Sequence, residues 1–190
     1  SRDAGIMSPM SLNQRTLALF PGTFDPLTNG HLDLIRRALG MFDDVVVAVG
    51  TNPEKRALFT PDDRVDMIDS ALRDADLAAR VERYDGLTVD FAKRLGATVI
   101  LRGIRNHSDL NFEFQLALTN RAVADVETVF IMTSDQHGFT RSTLIKQIAA
   151  SGRLEHLTRL LPPLIVQRIR DKLQHDRHVF DALATDAHKE

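Results

Sequence analysis

The sequence predicts a doubly wound, Rossmann-like α/β domain: a parallel five-stranded sheet with additional helices at its C-terminal end. Three observations carry this expectation. Short runs such as Val45-Val46-Val47-Ala48-Val49 show no polar alternation, which suits strands covered on both faces. These runs alternate with longer segments of helical apolar spacing, and strands alternating with helices imply right-handed parallel crossovers. With 190 residues, 43% apolar and 26% charged, the chain can bury one core and is too apolar for wholesale disorder.

The elements follow in order. Leu17-Ala18-Leu19-Phe20 is a buried run that reads as the first strand. Residues 21–30 are dense in Gly, Pro, Thr, Asn and Asp and form a turn-rich loop. From His31, the spacing of Leu32, Ile35, Leu39 and Phe42 is helical. Residues 45–49 are the second strand. Thr60 is the N-cap of the next helix and Pro61 its first residue, with Val65, Ile68 and Leu72 expected to be buried. A short strand is expected over 81–84. A helix over 87–95 closes at Gly96, a left-handed C-cap position. Residues 98–101 form a strand, 109–123 a helix, 128–132 a strand and 142–150 a helix that stops at Gly152. Pro162-Pro163 precedes a last helix striped by Ile165, Ile169 and Leu173. From Gln174 the chain turns polar and is expected to fray. One domain over 16–173 with flexible tails, 1–15 and 174–190, is the resulting organisation. Ser1 to Ile6, ahead of Met7, is set aside as a scar.

Composition narrows the function classes. The formal net charge is −2, which argues against a general nucleic-acid binder but permits a local basic pocket. There is no cysteine, so disulfides, thiolate zinc sites and a cysteine nucleophile are excluded. No apolar run approaches the roughly 20 residues that a membrane helix needs. A signal peptide is not apparent at residues 1–15, so the expected location is the cytoplasm and the sequon at Asn106-His107-Ser108 is chance.

In open α/β sheets, ligands sit at the carboxyl ends of the strands. The loops there are 21–30, 50–59, 102–108 and 133–141. Three of them carry cations: Lys55 and Arg56, Arg102 and Arg105, and Arg141. Positive charge concentrated there in a slightly acidic chain predicts an anionic ligand with several phosphates. In the first loop, Gly22 permits close backbone approach and Thr23 offers a hydroxyl. Gly30 and His31 fall at a helix N-terminus, which favours anions. Each feature has a plainer use. His31 could be surface, Arg102 and Arg105 a solvated pair, Ser142 or Thr143 an N-cap, and Glu113 a salt-bridge partner. The helix over 109–123 carries Phe112, Leu116 and Val123 on one side and Phe114, Leu118 and Ala122 on another. It is either buried within the subunit or part of a subunit interface.

Phe20-Pro21-Gly22-Thr23-Phe24-Asp25-Pro26-Leu27-Thr28-Asn29-Gly30-His31 resembles the signature loop of bacterial phosphopantetheine adenylyltransferases. That family belongs to the nucleotidyltransferases marked by (H/T)-x-G-H, here Thr28-Asn29-Gly30-His31. Asn52-Pro53-Glu54-Lys55, Leu101-Arg102-Gly103-Ile104-Arg105, the block from Asp109 to Ala117, and Ser142-Thr143-Leu144-Ile145-Lys146 resemble its further blocks. The likeness runs from about Leu17 to Leu173. It implies adenylyl transfer from ATP to 4′-phosphopantetheine, giving dephospho-coenzyme A and pyrophosphate, with Mg²⁺ arriving with ATP and no covalent enzyme intermediate.

Carried over by position, the resemblance places Thr23 and His31 at the reacting phosphates, with His31 stabilising the transition state. Lys55 and Arg102 would bind the acceptor's phosphate, and Leu87 and Thr88 its pantetheine arm. Phe24, Gly103, Ile104, Arg105, Glu113, His137, Ser142 and Thr143 would bind ATP. The resemblance also implies a homohexamer and coenzyme A as a candidate feedback ligand, with no nucleic-acid or membrane partner. Departures from the family pattern are Arg141 before Ser142, His137 near the expected adenine, and Thr133 in place of a proline. Two rival functions are an adenylyltransferase for another phosphorylated acceptor, such as a mononucleotide, and a catalytically silent nucleotide-binding regulator.

Overall fold

The computed structural model describes residues 15–51, 56–134 and 142–186. Five strands form one parallel sheet in the order β3-β2-β1-β4-β5. They are β1 (Leu17–Gly22), β2 (Asp44–Val49), β3 (Arg80–Arg83), β4 (Val99–Ile104) and β5 (Glu127–Met132). The helices are α1 (Asn29–Leu39), α2 (Pro61–Asp74), α3 (Thr88–Leu95), α4 (His107–Ala124), α5 (Ser142–Ala150), α6 (Pro163–His175) and α7 (Arg177–Asp186). A 3₁₀ turn, Leu154–Leu157, lies between α5 and α6.

Alternate strand residues feed two cores, as side chains of period two must. Ala18, Phe20, Val45, Val47 and Val49 face one layer with Ile35, Ile68, Ile145 and Ile169. Leu19, Val46, Ala48 and Ile100 face the other with Val89, Phe91 and Ala124. The β-branched run therefore is covered on both faces, as its lack of alternation requires.

Strand β4 runs three residues beyond its expected end. Arg102, Gly103 and Ile104 continue the ladder opposite Phe130, Ile131 and Met132. An arginine and a glycine read as loop residues, but backbone pairing with β5 holds them in the strand. At its start, α4 is lengthened by Asn106, whose side chain accepts the Asp109 backbone N–H at 2.9 Å as an N-cap. On α2 the buried residues are Arg64, Met67, Ile68, Ala71 and Leu72, while Val65 is only partly covered.

Over the described part of the tail expected to fray, residues 174–186, the structure is helical instead. Helix α6 continues to His175, and α7 packs back on α5 and α6. Its Phe180 is only 1% exposed, in the same core as Ile145 and Leu161. One aromatic in a polar stretch is a weak periodic signal, yet it suffices to dock a helix onto an existing core. Burial of α4 within the subunit is also not observed. Phe112 is 69% exposed, and Phe114, Leu118 and Val123 stand exposed beside it.

The sheet is not uniformly paired. β1 matches β2 at six positions and β4 matches β5 at six, but β1 meets β4 only at Ala18–Val99 and Leu19–Ile100. Beyond these, the carboxyl ends of β1 and β4 diverge at the switch point of the strand order.

Replacing Phe180 with alanine should destabilise the fold by about 3 kcal/mol, the usual cost of a large buried cavity. Denaturant unfolding checks this. A loss below about 1 kcal/mol would mean that α7 does not dock as described.

Candidate active site

A cavity of about 450 Å³ opens where β1 and β4 separate. Pro21 and Gly22 line it from β1, and Arg102 and Gly103 from β4. Its other walls come from the loops and helix starts that follow the strands. Thr23, Phe24, Thr28, Gly30 and His31 follow β1, Gly50 and Thr51 follow β2, and Tyr84 and Thr88 follow β3. Arg105 and Glu113 follow β4, and Thr133 and Ser142 follow β5. Ligand binding at the carboxyl edge and switch point is the rule for such sheets.

The first loop is shaped by packing. Phe24 lies in the left-handed region at φ 45°, a conformation that costs a bulky residue about 1–3 kcal/mol. Its ring stands edge-on to those of Phe20 and His31. A Cβ on Gly22 would lie 2.9 Å from that ring, so glycine there is a packing requirement. The same holds for Gly103, where a Cβ would approach Leu34 Cδ1 to 2.5 Å.

The start of α1 fixes His31. Thr28 Oγ1 accepts the His31 backbone N–H at 3.2 Å, and the Thr28 backbone N–H donates to His31 Nδ1 at 3.1 Å. This is a capping box with histidine in the place usually held by glutamate. Since a backbone N–H can only donate, Nδ1 must carry a lone pair, and the ring proton of neutral His31 resides on Nε2. The ring lines the cavity, and Nδ1 is the nitrogen engaged by Thr28. Burial, reinforced by the positive charge of Arg105, lowers the His31 pKa from 6.5 to about 4. At neutral pH the ring is therefore an uncharged donor held in one tautomer.

Arg64 supports this loop from below. It is buried, and its guanidinium donates to the carbonyls of Thr23 at 2.7 Å, Gly50 at 3.4 Å and Thr60 at 3.3 Å. Thr23, its carbonyl held by Arg64, lines the cavity. Burial pulls the Arg64 pKa below the ordinary arginine value, while the nearby Asp25 carboxylate acts in the opposite direction.

Across the cavity, Arg102 makes a two-pronged pair with Glu113, through Nε at 2.7 Å and through its second terminal nitrogen. Its remaining terminal nitrogen donates to the Pro21 carbonyl at 3.1 Å. Arg102 thereby bridges the two diverging strands and supplies a partner to a carbonyl beyond the last β1–β4 pair. Arg105 pairs with Asp109 at 2.9 Å, in the first turn of α4. Tyr84 stacks on Phe91, and its hydroxyl lies 2.8 Å from Thr88 Oγ1.

The structure thus gathers Thr23, Phe24, His31, Thr88, Arg102, Gly103, Arg105, Glu113 and Ser142 around one cavity. It does not place Leu87 or Ile104 on the wall. Leu87 is the N-cap of α3 and is 66% exposed, while Ile104 is buried beneath the site. Thr143 starts α5 with Ser142. Lys55, His137 and Arg141 lie outside the described residues.

Three contributors escaped sequence reasoning. Arg64 falls on the apolar stripe of α2, three and four residues before Met67 and Ile68, and a cation at such a position is a detectable signal. Tyr84 and Pro21 carry no such mark, because their roles depend on how the strands splay.

A cytidylyltransferase-like family model matches residues 19–148. A phosphopantetheine adenylyltransferase from Geobacter sulfurreducens is 49% identical over 82% of this chain and 94% of that protein. Its counterpart from Geobacter metallireducens is 45% identical over 86% of this chain and 99% of its own. Among solved structures, a bifunctional NMN adenylyltransferase/ADP ribose pyrophosphatase from Francisella tularensis superposes with a TM-score of 0.65. It is 14% identical and covers 93% of this chain and 54% of that one, a likeness of fold.

The His31 assignment has a direct check. Its folded pKa of about 4 lies below the unfolded 6.5, so between these values the unfolded chain binds more protons. The contribution of His31 to stability should be complete above pH 6.5 and be lost as the pH falls toward 4. In ¹⁵N NMR the ring should remain an Nε2–H tautomer down to about pH 5. An imidazolium at pH 6 would refute the assignment.

Proposed function

The chain belongs to the phosphopantetheine adenylyltransferase family, and from that premise we propose that it transfers the adenylyl group of ATP to 4′-phosphopantetheine. The products of the proposed reaction are dephospho-coenzyme A and pyrophosphate. The observation that carries this reading is the fixed Nε2–H of His31, set in a cavity bounded by Arg102, Arg105 and the first turn of α5.

In this mechanism a phosphate oxygen of the acceptor attacks the α-phosphorus of ATP in line. The new P–O bond forms as the bond to the bridging oxygen breaks, and pyrophosphate leaves with that electron pair. A phosphate dianion needs no base at neutral pH, so the protein positions the reactants and stabilises charge. His31 donates from Nε2 to a phosphoryl oxygen whose charge grows in the transition state, and Thr23 adds its hydroxyl. Arg102, with Lys55, holds the acceptor's phosphate. Thr88, beside Tyr84, lies along the acceptor's arm. Phe24, Gly103, Arg105, Glu113, Ser142 and Thr143, together with His137, are assigned to ATP.

Mg²⁺ is part of the proposal only as the companion of ATP. Among the described residues no three carboxylates or histidines converge on a metal position. Glu113, the one carboxylate on the described cavity wall, is engaged by Arg102. The described residues offer no ligand set for a resident ion, and no step is assigned to one.

The exposed apolar residues of α4 support a homo-oligomer, proposed as a hexamer, in which this helix is covered by a neighbouring subunit. Coenzyme A contains both halves of the product and is proposed to occupy the same cavity as a feedback ligand. The cytoplasm is the proposed setting. Among the described residues no helix is long and apolar enough to cross a membrane.

Two measurements test this. Pyrophosphate release should require ATP, Mg²⁺ and 4′-phosphopantetheine, and nicotinamide mononucleotide should not substitute. The H31A variant should lose about 10²–10³ in kcat with a much smaller change in ATP affinity, the pattern of a donor acting in the transition state. Release with the mononucleotide alone would overturn the acceptor, and unchanged turnover in H31A would remove His31 from the mechanism. Separately, light scattering of F112E should show a species smaller than the parent. An unchanged mass would place the interface elsewhere.

A further inference from the structure

Asp25 and Lys146 form a buried ion pair that does not line the cavity. Asp25 is 4% exposed and directly follows Phe24 in the first loop. Lys146 lies on α5, four residues after Ser142, with its side chain 16% exposed. Its Nζ is 2.6 Å from Asp25 Oδ2 and donates to the Arg56 carbonyl at 2.9 Å. The Asp25 carboxylate also accepts the backbone N–H of Leu58 at 2.7 Å and of Phe59 at 2.9 Å.

Three separate segments therefore meet at one pair of charges: the loop after β1, residues 56–59 ahead of α2, and α5. In the proposed reaction each carries or adjoins a ligand group. Thr23 and Phe24 precede Asp25, Lys55 precedes Arg56, and Ser142 stands one helical turn before Lys146. A buried ion pair is a poor source of stability, because taking both charges from water costs about what their attraction returns. An apolar contact would hold α5 to the loop equally well. Unlike such a contact, the pair fixes direction. Two backbone N–H groups, a carboxylate, an ammonium and a carbonyl are satisfied together only in one register of the three segments.

We propose that Lys146 is a positioning residue for adenylyl transfer, holding the acceptor-side segment and the ATP-side helix in register through Asp25 and the Arg56 carbonyl. The inference rests on the reaction proposed above. Its ammonium is needed for turnover and not for binding of ATP alone, since small misplacements of reacting groups cost rate far more than affinity.

The chain has no cysteine, so a K146C variant of the full chain carries one thiol. Alkylation with 2-bromoethylamine displaces bromide by the thiolate and restores an ammonium at nearly the lysine length. Iodoacetamide gives a neutral control of similar size. The readouts are steady-state pyrophosphate release, calorimetric binding of ATP without acceptor, and hydrogen–deuterium exchange over residues 23–31 and 56–60.

In K146C, kcat should fall by about 30- to 100-fold with ATP affinity within about threefold, and exchange should accelerate in both segments. Aminoethylation should recover at least about half of kcat and slow both segments, and the acetamide should do neither. Full turnover in K146C, unchanged exchange, or equal rescue by the neutral group would overturn the proposal. Absence of turnover in the parent chain would defeat the adenylyl-transfer reading instead, and the exchange pattern would still decide whether the ammonium sets the register. If K146C loses its cooperative melt, K146R against K146Q supplies the same contrast, with exchange restored only by the cation.

Discussion

The separation of β1 from β4 is the constraint on which the rest of the site depends. Two paired positions hold these strands together, and beyond Leu19 and Ile100 their backbones part. A parting of strands inside a parallel sheet leaves polar backbone groups without ladder partners, and such groups must be satisfied another way. Pro21 has no N–H to satisfy, and its carbonyl is taken by Arg102 from the opposite strand. Thr23 and Gly50 give their carbonyls to Arg64. Arg102 thus bridges the parted strands while Arg64 satisfies carbonyls just past the ends of β1 and β2, and the cavity lies in the gap.

The electrostatics follow from that gap. Arg102 and Arg105 each meet a carboxylate from α4, Glu113 and Asp109. The positive charge of these two arginines is therefore already met by carboxylates. In the proposed reaction an incoming anion would take part of each guanidinium from its carboxylate, an exchange of partners rather than the filling of a bare cationic hole. His31 is treated differently. Its charge is suppressed by burial and by Arg105, so that it contributes a directed donor without adding a further cation.

Much of this was legible in the residues. The alternation of buried runs with helical stripes announces the five strands and the doubly wound order, and Thr60-Pro61 and Gly96 mark helix ends that the structure keeps. The loop 21–31 and the arginines near 102 point to the strand ends where the cavity lies. Other features depend on tertiary geometry. The extension of β4 through Arg102 and Gly103 arises from pairing with β5, which local composition hides. The burial of Arg64 left only a weak mark, a cation on an apolar stripe, and its carbonyl partners at Thr23 and Gly50 lie on loops that the fold brings to it. The exposure of Phe112 and Phe114 reverses an apolar helix's default, because α4 turns toward solvent a side that a single subunit does not cover.

Helix α7 has a consequence for anyone who handles this protein. Phe180 plugs into the layer behind α5, the same helix that presents Ser142 to the cavity and Lys146 to Asp25. A purification handle or fluorescent reporter fused after α7 would hang from the element that backs α5 and its Ser142. The place chosen for such a label is thus a choice about which wall of the cavity feels its drag.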